Sequence, residues 1–551
     1  MGGRGVAERS RNTMTKPKRI KIIGGGLAGP EAALQAAALG CEVSLYEMRP
    51  TRSTEAHQTA DFAELVCSNS LKSESENTAP WLLKQEMRRA GSFLLAEADA
   101  SAVPAGHALA VDRVEFSKRV AARIEAEPRI AVHREEVLAL DPDEPDTLTI
   151  LATGPLTSPA LTAELTRLTG SGQLAFYDSI SPIVDASTID MSRVYFAARY
   201  DKGTADYINC PFTKEEYDRF LDALTTAEAV PAKPWEQIPV EAAGSKPSTE
   251  TSSQLIADSS KLSENAFPPN GQIAPESPLA PQPIHYFEGC LPIEETARRG
   301  RGTLRFGPMK PVGLTDPRTG RLPYAVVQLR QENLRADSYN LVGFQNHLKF
   351  SAQARVLRLI PGLENAAFLR YGQIHRNTYI NAPALLTETL QLRAHPSILI
   401  AGQLSGVEGY TESFASGLLA GRYAAALAHG IQPTPAPRLS ANGSLTHYIT
   451  HAESKRFQPA NITFDLLPPL EEELRRRIRD KKERHRLQCE RALAAWDAWL
   501  HASGENNVAD RKSRGTRPVP DNSKVASGVS LSSTPESLDR SLAVQNERSK
   551  Q

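Results

Sequence analysis

The stretch "KRIKIIGGGLAGPEAALQAAALGCEVSLYE", residues 18–47, restricts the fold more than any other part of the chain. "RIKII" reads as a short β-branched strand that runs straight into glycines. "LAGPEAALQAAALG" reads as a small-residue helix closed by Gly40, and "CEVSLYE" as the next strand. Strand, glycine turn, helix and strand open a doubly wound α/β sheet. Gly24, Gly25, Gly26, Leu27, Ala28 and Gly29 contain the pattern G-x-G-x-x-G. Its glycines serve a tight turn, a close approach of backbone to pyrophosphate, and tight packing of helix on strand. The amides of the helix N-terminus then face the phosphates, and Pro30 occupies a first-turn position that tolerates it. Glu47 ends the second strand about 20 residues on, where an acid binds ribose hydroxyls. A plain βα turn asks for no such acid, so the stretch predicts a dinucleotide site.

A second glycine-rich element lies toward the other end. "SILIAG", residues 397–402, reads as a buried strand entering "QLSGVEGYTESFASGLLAGRYAAALAHG", with Gly402, Gln403 and Gly409 at the turn. A helix starting near Thr411 would aim its positive end at a bound ring and favour an anionic reduced flavin. Nicotinamide dehydrogenases often carry the first motif internally. Flavoproteins tend to carry it near the N-terminus and touch the flavin again from a C-terminal strand and glycine turn. The pair of elements points to FAD.

The expected fold class is α/β: a Rossmann-like FAD-binding domain split by a smaller α/β insertion domain. Residues 19–195 form its first part, with strands in "LTILATG", "QLAFYD" and "PIVDAS", and residues 196–334 form the insertion. Within the insertion, residues 244–283 are rich in Ser and Pro without period and are expected to be disordered. Residues 335–502 complete the FAD domain and end in one long helix over "PPLEEELRRRIRDKKERHRLQCERALAAWDAWL". Residues 1–18 and 503–551 read as disordered extensions.

With 64 Lys+Arg against 64 Asp+Glu, nothing global favours a polyanionic partner. The run 471–491 holds nine Arg/Lys against six Asp/Glu; it reads as a solvated face, with RNA contact left open. No stretch approaches the roughly 20 apolar residues of a membrane span. The basic start lacks an apolar signal core, and Val6 breaks the myristoylation pattern. The expectation is a cytoplasmic protein with no membrane contact and no stable protein partner.

Five cysteines in 551 residues, with no C-x-x-C, argue for reduced thiols rather than a disulfide framework. Cys41, at the start of a core strand, reads as a small buried hydrophobe. Cys489, in a charged helix, reads as incidental. Cys210, before a proline at a helix start, reads as structural. Cys67 in "FAELVCSNSLKSE" and Cys290 in "YFEGCLPIEETARRG" sit in polar or glycine-bearing loops, where reactive thiols occur. His375 and Arg376 in "YGQIHRNTYINAP" either line a pocket or belong to a structural loop.

From about Lys21 to Leu500, the ordered blocks "IIGGGLAGPEAA", "ELVCSNSLKS", "INCPFTKEEY", "YFEGCLPIE", "GPMKPVGL", "VVQLRQEN", "HRNTYINAP" and "GQLSGVEGYTESFASGLLAG" resemble the bacterial folate- and FAD-dependent tRNA (uracil-5-)-methyltransferase family, TrmFO. The resemblance implies C5-methylation of uridine 54 in the T-loop of tRNA, with tRNA as the partner. The one-carbon donor would be 5,10-methylenetetrahydrofolate, and NADPH or NADH would supply electrons through FAD. The family's two cysteines fall on Cys67 and Cys290, and its flavin-stacking tyrosine falls on Tyr410. The chemistry asks for such parts. A thiolate adding to C6 of uracil makes C5 a nucleophile, and a methylene group needs a hydride to become methyl. Cys290 is taken as the nucleophile and Cys67 as its assistant near the flavin; the reverse is open from the residues alone. Two rivals stand beside this reading: a flavoprotein that modifies the tRNA wobble uridine, and a tRNA-binding flavoprotein without catalysis. The extension, the insertion and the tail are additions to the family pattern, and the insertion ends just before Cys290.

Overall fold

The computed structural model describes residues 18–54, 56–172, 174–201, 204–230 and 291–514. The segment 244–283, Cys290, residues 1–17 and the tail from residue 515 lie outside the described residues. The side chains of His375 and Arg376 do so too.

Five parallel strands form the first sheet, in the spatial order Ile398–Ile400, Thr147–Leu151, Arg19–Ile23, Val43–Tyr46 and Ile130–His133. Ile22 pairs with Leu45 on one side and Ile150 on the other. Parallel strands buried on both faces read as unbroken apolar runs, and every residue of Thr147–Leu151 is buried. The helix Ala28–Ala38 covers this sheet with alanines. Its smallness lets the helix Tyr410–Ala428 lie directly upon it. A Cβ on Gly417 would stand 2.4 Å from the Ala28 carbonyl oxygen, and one on Gly421 2.5 Å from that of Ala32.

A second, antiparallel sheet has six strands in the order Tyr195–Phe196, Ile208–Phe212, Ala325–Gln331, Ser338–Leu341, Ile183–Asp185 and Phe368–Arg370. It thus draws strands from both sides of the 196–334 segment. Its own core includes Phe212, Phe220, Leu329 and Phe344. The helix Lys214–Thr225 packs there and starts from a capping box, Thr213 with Glu216. A two-stranded ribbon, Leu174–Ser179 with Ile374–Tyr379, carries the chain between the two sheets.

Four expectations change. The long C-terminal helix is two helices, Glu472–Arg477 and Lys481–Arg514. Ile478 is extended at the break (φ −101°, ψ 104°), and the Asp480 carboxylate accepts the Lys482 N–H at 3.0 Å, capping the second helix. That helix also runs past residue 502, where the tail was expected to begin. Its residues beyond Leu500 belong to a separate compact unit. Cys489 is not incidental: it is 1 % exposed, in one core with Ala492, Leu493 and Trp496. Cys210 is buried, as a structural thiol should be, but it sits within the strand Ile208–Phe212 rather than at a helix start.

Candidate functional site

The glycine turn is built by contact. Gly24 has φ +114°, and a Cβ there would stand 2.4 Å from the carbonyl oxygen of Ala152, just past the end of the neighbouring strand. A Cβ on Gly29 would come within 1.8 Å of the Gly24 oxygen, so the third glycine sets how tightly helix meets strand. Gly26 faces open space, with nothing within 4 Å of its Cβ position. Gly25 donates its N–H to Glu47 Oε2 at 2.8 Å, while Glu47 Oε1 accepts the Arg49 N–H and Nε, both at 2.9 Å. Burial would raise the Glu47 carboxyl, but the hydrogen bonds and charge of Arg49, with the Gly25 amide, bring it below the ordinary carboxylate range. Glu47 is therefore an ionised acceptor at the end of its strand, and its oxygens retain lone pairs for hydroxyl donors.

The second glycine element forms the facing wall of the same cavity. Gly24, Gly25, Gly26, Leu27, Ala28 and Glu47 line that cavity together with Gly402, Gln403, Gly409, Tyr410 and Cys67. Gly29 lies beneath the wall. Gly402 and Gly409 have φ +72° and +112°, and the helix Tyr410–Ala428 begins at once, with its N-terminal amides toward the cavity. Gln403 donates to Glu408 Oε2 at 2.5 Å. Glu412, in the helix's first turn and fully buried, pairs with Lys72 Nζ at 2.6 Å; Lys72 is itself a lining residue.

Two observations test whether a dinucleotide fits. The open Gly26 position is the one place on the turn where a backbone can be approached closely. Asn377, 1 % exposed, lines the cavity with a side-chain oxygen that has no hydrogen-bond partner among the described residues. A buried acceptor left unpaired is costly, and a bound ring or ribose donor would satisfy it. Gly24–Gly26 and the helix N-terminus at Ala28 suit the pyrophosphate, Glu47 the ribose, and the wall from Gly402 to Tyr410 the flavin end. The residues fit FAD.

The Cys67 loop is held from three directions. The Tyr410 hydroxyl oxygen accepts the N–H of Cys67 at 2.6 Å and that of Ser68 at 3.2 Å. Arg113 donates to the carbonyls of Leu65 at 2.9 Å and Cys67 at 3.3 Å, and pairs with Glu332 at 2.7 Å. Arg330, from the antiparallel sheet, donates to Ser68 Oγ at 2.7 Å and Asn69 Oδ1 at 2.9 Å. Arg113, Arg330 and Arg370 all interact electrostatically with Cys67. The half-buried thiol therefore lies between the two sheets in an electropositive setting, the kind that suits a nucleophilic or proton-accepting sulfur. The other described cysteines are different: burial pushes Cys41 and Cys489 each up to about 12, and raises Cys210 as well.

Sequence reasoning singled out both glycine elements and Cys67 but missed the residues that set their surroundings. Lys72 and Arg330 stood inside blocks already quoted, "CSNSLKS" and "VVQLRQEN", without a role. Arg113 in "VDRVEF" carried no local signal at all.

This fold and cleft belong to a known class. The family model described as "Glucose inhibited division protein A" matches residues 19–251 and 275–432. The Aquifex aeolicus GidA structure in its form II crystal aligns over 90 % of this chain and 76 % of its own, with TM-score 0.56 and 14 % identity, a likeness of fold alone. Sequence relatives narrow the class. The Koribacter versatilis "Methylenetetrahydrofolate--tRNA-(uracil-5-)-methyltransferase TrmFO" is 63 % identical over 88 % of this chain and 98 % of its own length. The protein of that name from Solibacter usitatus is 58 % identical over 89 % and 100 %, and that from Enterococcus faecalis 49 % over 86 % and 97 %. The chain belongs to the TrmFO family.

Proposed function

We propose that this chain methylates C5 of a uridine in tRNA, at position 54 of the T-loop, taking the one-carbon unit from 5,10-methylenetetrahydrofolate. The observation that carries the reading is that Cys67 lines the same cavity as both glycine elements. FAD held by Gly24–Gly26, Glu47 and the Gly402–Tyr410 wall would supply, on reduction by NADPH or NADH, the hydride that takes methylene to methyl. The chain's residues do the rest. Cys290 adds as thiolate to C6 of uracil, so that electron density reaches C5, which attacks the one-carbon electrophile. A base then removes the C5 proton as the tetrahydrofolate amine leaves, giving an exocyclic methylene at C5; hydride adds to that carbon to make the methyl group, and the Cys290 thiolate is expelled from C6 as the ring is restored. Cys67 takes the assisting part, as that base or as guard of the one-carbon unit, held by Tyr410 and the three arginines. The loop around Cys67 joins the cofactor-binding part to the inserted part, which we delimit by the strands Ile183–Asp185 and Phe368–Arg370. Among the described residues no helix is long and apolar enough to cross a membrane, in keeping with work on tRNA in the cytoplasm.

The test is direct. The protein is incubated with FAD, NADPH, methylenetetrahydrofolate and an unmodified tRNA transcript, and the digested RNA is searched for 5-methyluridine by mass spectrometry. Product that requires folate, maps to the T-loop, and vanishes in both Cys67→Ala and Cys290→Ala is expected. A yellow, tRNA-binding protein that makes no 5-methyluridine would overturn the proposal.

A further inference from the structure

Away from the cofactor cavity, Glu388, His447 and His451 bring one ligand atom each to within 4.8 Å of one another. None of them lines the cavity. His447 and His451 stand four residues apart on the helix Ala441–His451 and so share a face. Their rings stack in near-parallel fashion, with centroids 4.2 Å apart and planes 15° apart. His447 Nδ1 lies in hydrogen-bond reach of Glu388 Oε1 at 3.2 Å, and His451 Nδ1 stands 3.7 Å from the same oxygen while bonded to Thr450 Oγ, so the His451 ring would turn for both nitrogens to meet one ion. Ligand atoms ~2.0–2.1 Å from a tetrahedral zinc ion lie roughly 3.3 Å apart. The two nitrogen-to-oxygen distances already bracket that value.

Glu388 is held in place by a tight turn. Thr387 donates its N–H to the Gln391 carbonyl and Leu390 donates to that of Thr387, both at 2.9 Å. All three ligands are partly exposed, so an ion can reach them from solvent.

We propose that this triad is a binding site for a first-row divalent metal, zinc in particular, with two imidazoles and one carboxylate as ligands and a water in the fourth position. Two nitrogen donors disfavour calcium and magnesium, which take oxygen. The His451 Nδ1 now lies 2.9 Å from Thr450 Oγ, whose own hydroxyl has the Thr446 carbonyl as acceptor at 2.8 Å. Zinc at that nitrogen would take the place of this hydrogen bond, with the imidazole proton carried on Nε2. The ion would tie the 387–391 turn to the end of the helix. The chain leaving that helix returns to the cofactor wall, where Ala460 accepts the Glu408 N–H at 2.9 Å and Ile462 donates to Glu412 at 3.1 Å. The site is thus a staple behind the wall rather than a part of the chemistry.

The experiment uses full-length, tag-free protein stripped with a chelator and titrated with zinc against a chromophoric competitor. X-ray absorption of the loaded protein then reads the ligand atoms. One equivalent with nitrogen and oxygen ligands is expected, and it should persist in a Cys67→Ser/Cys290→Ser variant. Loss of even an outer-shell partner costs metal sites about 10–100-fold in affinity, so His447→Ala and Glu388→Gln should each weaken zinc by roughly a hundredfold or more. Zinc should raise the Tm of the wild type but not of those variants, while all share one Tm in chelator, which shows that the variants fold. Sulfur ligands, or zinc affinity unchanged in His447→Ala, would overturn the proposal. Neither readout depends on methyl transfer, so the site and the activity stand or fall separately.

Discussion

Replacing Tyr410 with Phe keeps the ring and deletes one oxygen. That oxygen accepts two backbone N–H groups, from Cys67 at 2.6 Å and Ser68 at 3.2 Å. Burial raises the pKa of the Tyr410 hydroxyl, with the nearby Cys67 charge acting in the same direction, so it stays neutral through any working pH. A buried donor left without an acceptor costs about 1–3 kcal/mol. The Ser68 contact is the longer one, and its half-buried loop admits water, so one full donor is counted and the expected loss is about 2 kcal/mol. The loop also loses its tie to the helix beginning at Tyr410, while Arg113 and Arg330 still hold its other side. If the thiol drifts by ~1 Å, turnover falls by ~10²-fold. FAD content, read from the visible spectrum after gel filtration, should hold, because the glycine turn and Glu47 are untouched. Urea unfolding followed by fluorescence and 5-methyluridine formation would be compared side by side. A variant within ~0.5 kcal/mol of wild type, with unchanged turnover, would refute the idea that the hydroxyl positions the thiol.

Other expectations follow from the same geometry. Gly29→Ala should fail to yield folded flavoprotein, since its Cβ would sit 1.8 Å from a backbone oxygen, whereas Gly26→Ala should fold normally but bind FAD more weakly; circular dichroism and flavin titration separate the two. Burial lifts Glu86 from 4.5 to about 7 against the bonds it accepts from Ala441 and Asn442. A carboxyl raised in the folded state gives stability that is complete below pH ~4.5 and is lost as pH rises through about 7, worth on the order of 3 kcal/mol. Glu31 and Glu294 are raised by burial as well, so Glu86→Gln should lessen but not abolish the fall in stability across this range in urea unfolding, and an unchanged slope would contradict this. Iodoacetamide on the native protein should label Cys67 and spare Cys41, Cys210 and Cys489, all buried in the cores with raised pKa values; peptide mass spectrometry reads the outcome.

What could be read ahead of the structure follows from how local each cause is. The opening strand–turn–helix–strand and the Gly402–Tyr410 turn were legible because glycine at a positive φ and an unbroken apolar strand leave marks within a few residues. The Cys67 setting was not, because Arg113 and Arg330 reach it from 46 and 262 or so residues away, as Arg113 to Cys67 and Arg330 to Ser68. The break at Ile478 hid inside a run of charges, where Asp480 is one acid among several until its cap is visible. Cys489 was a misreading rather than a hidden fact. With Ala492, Leu493 and Trp496 it follows the 3.6-residue period of a buried helix face, and the surrounding charges drew attention away from it.

The strand Ile398–Ile400 borders Thr147–Leu151 in the central sheet, though the ribosome makes it about 250 residues later. At ~5–20 residues per second, the emerging chain carries an unfinished cofactor cradle for roughly 12–50 s. Through that interval the strand Thr147–Leu151 has one free edge, and the alanine face of Ala28–Ala38 has no helix upon it. Only when Gly402–Ala428 arrives do both gaps close, and the same event completes the far wall of the cavity. Capture of the cofactor therefore marks a nearly finished chain, and a chain cut short before residue 398 would expose a sheet edge open to other strands.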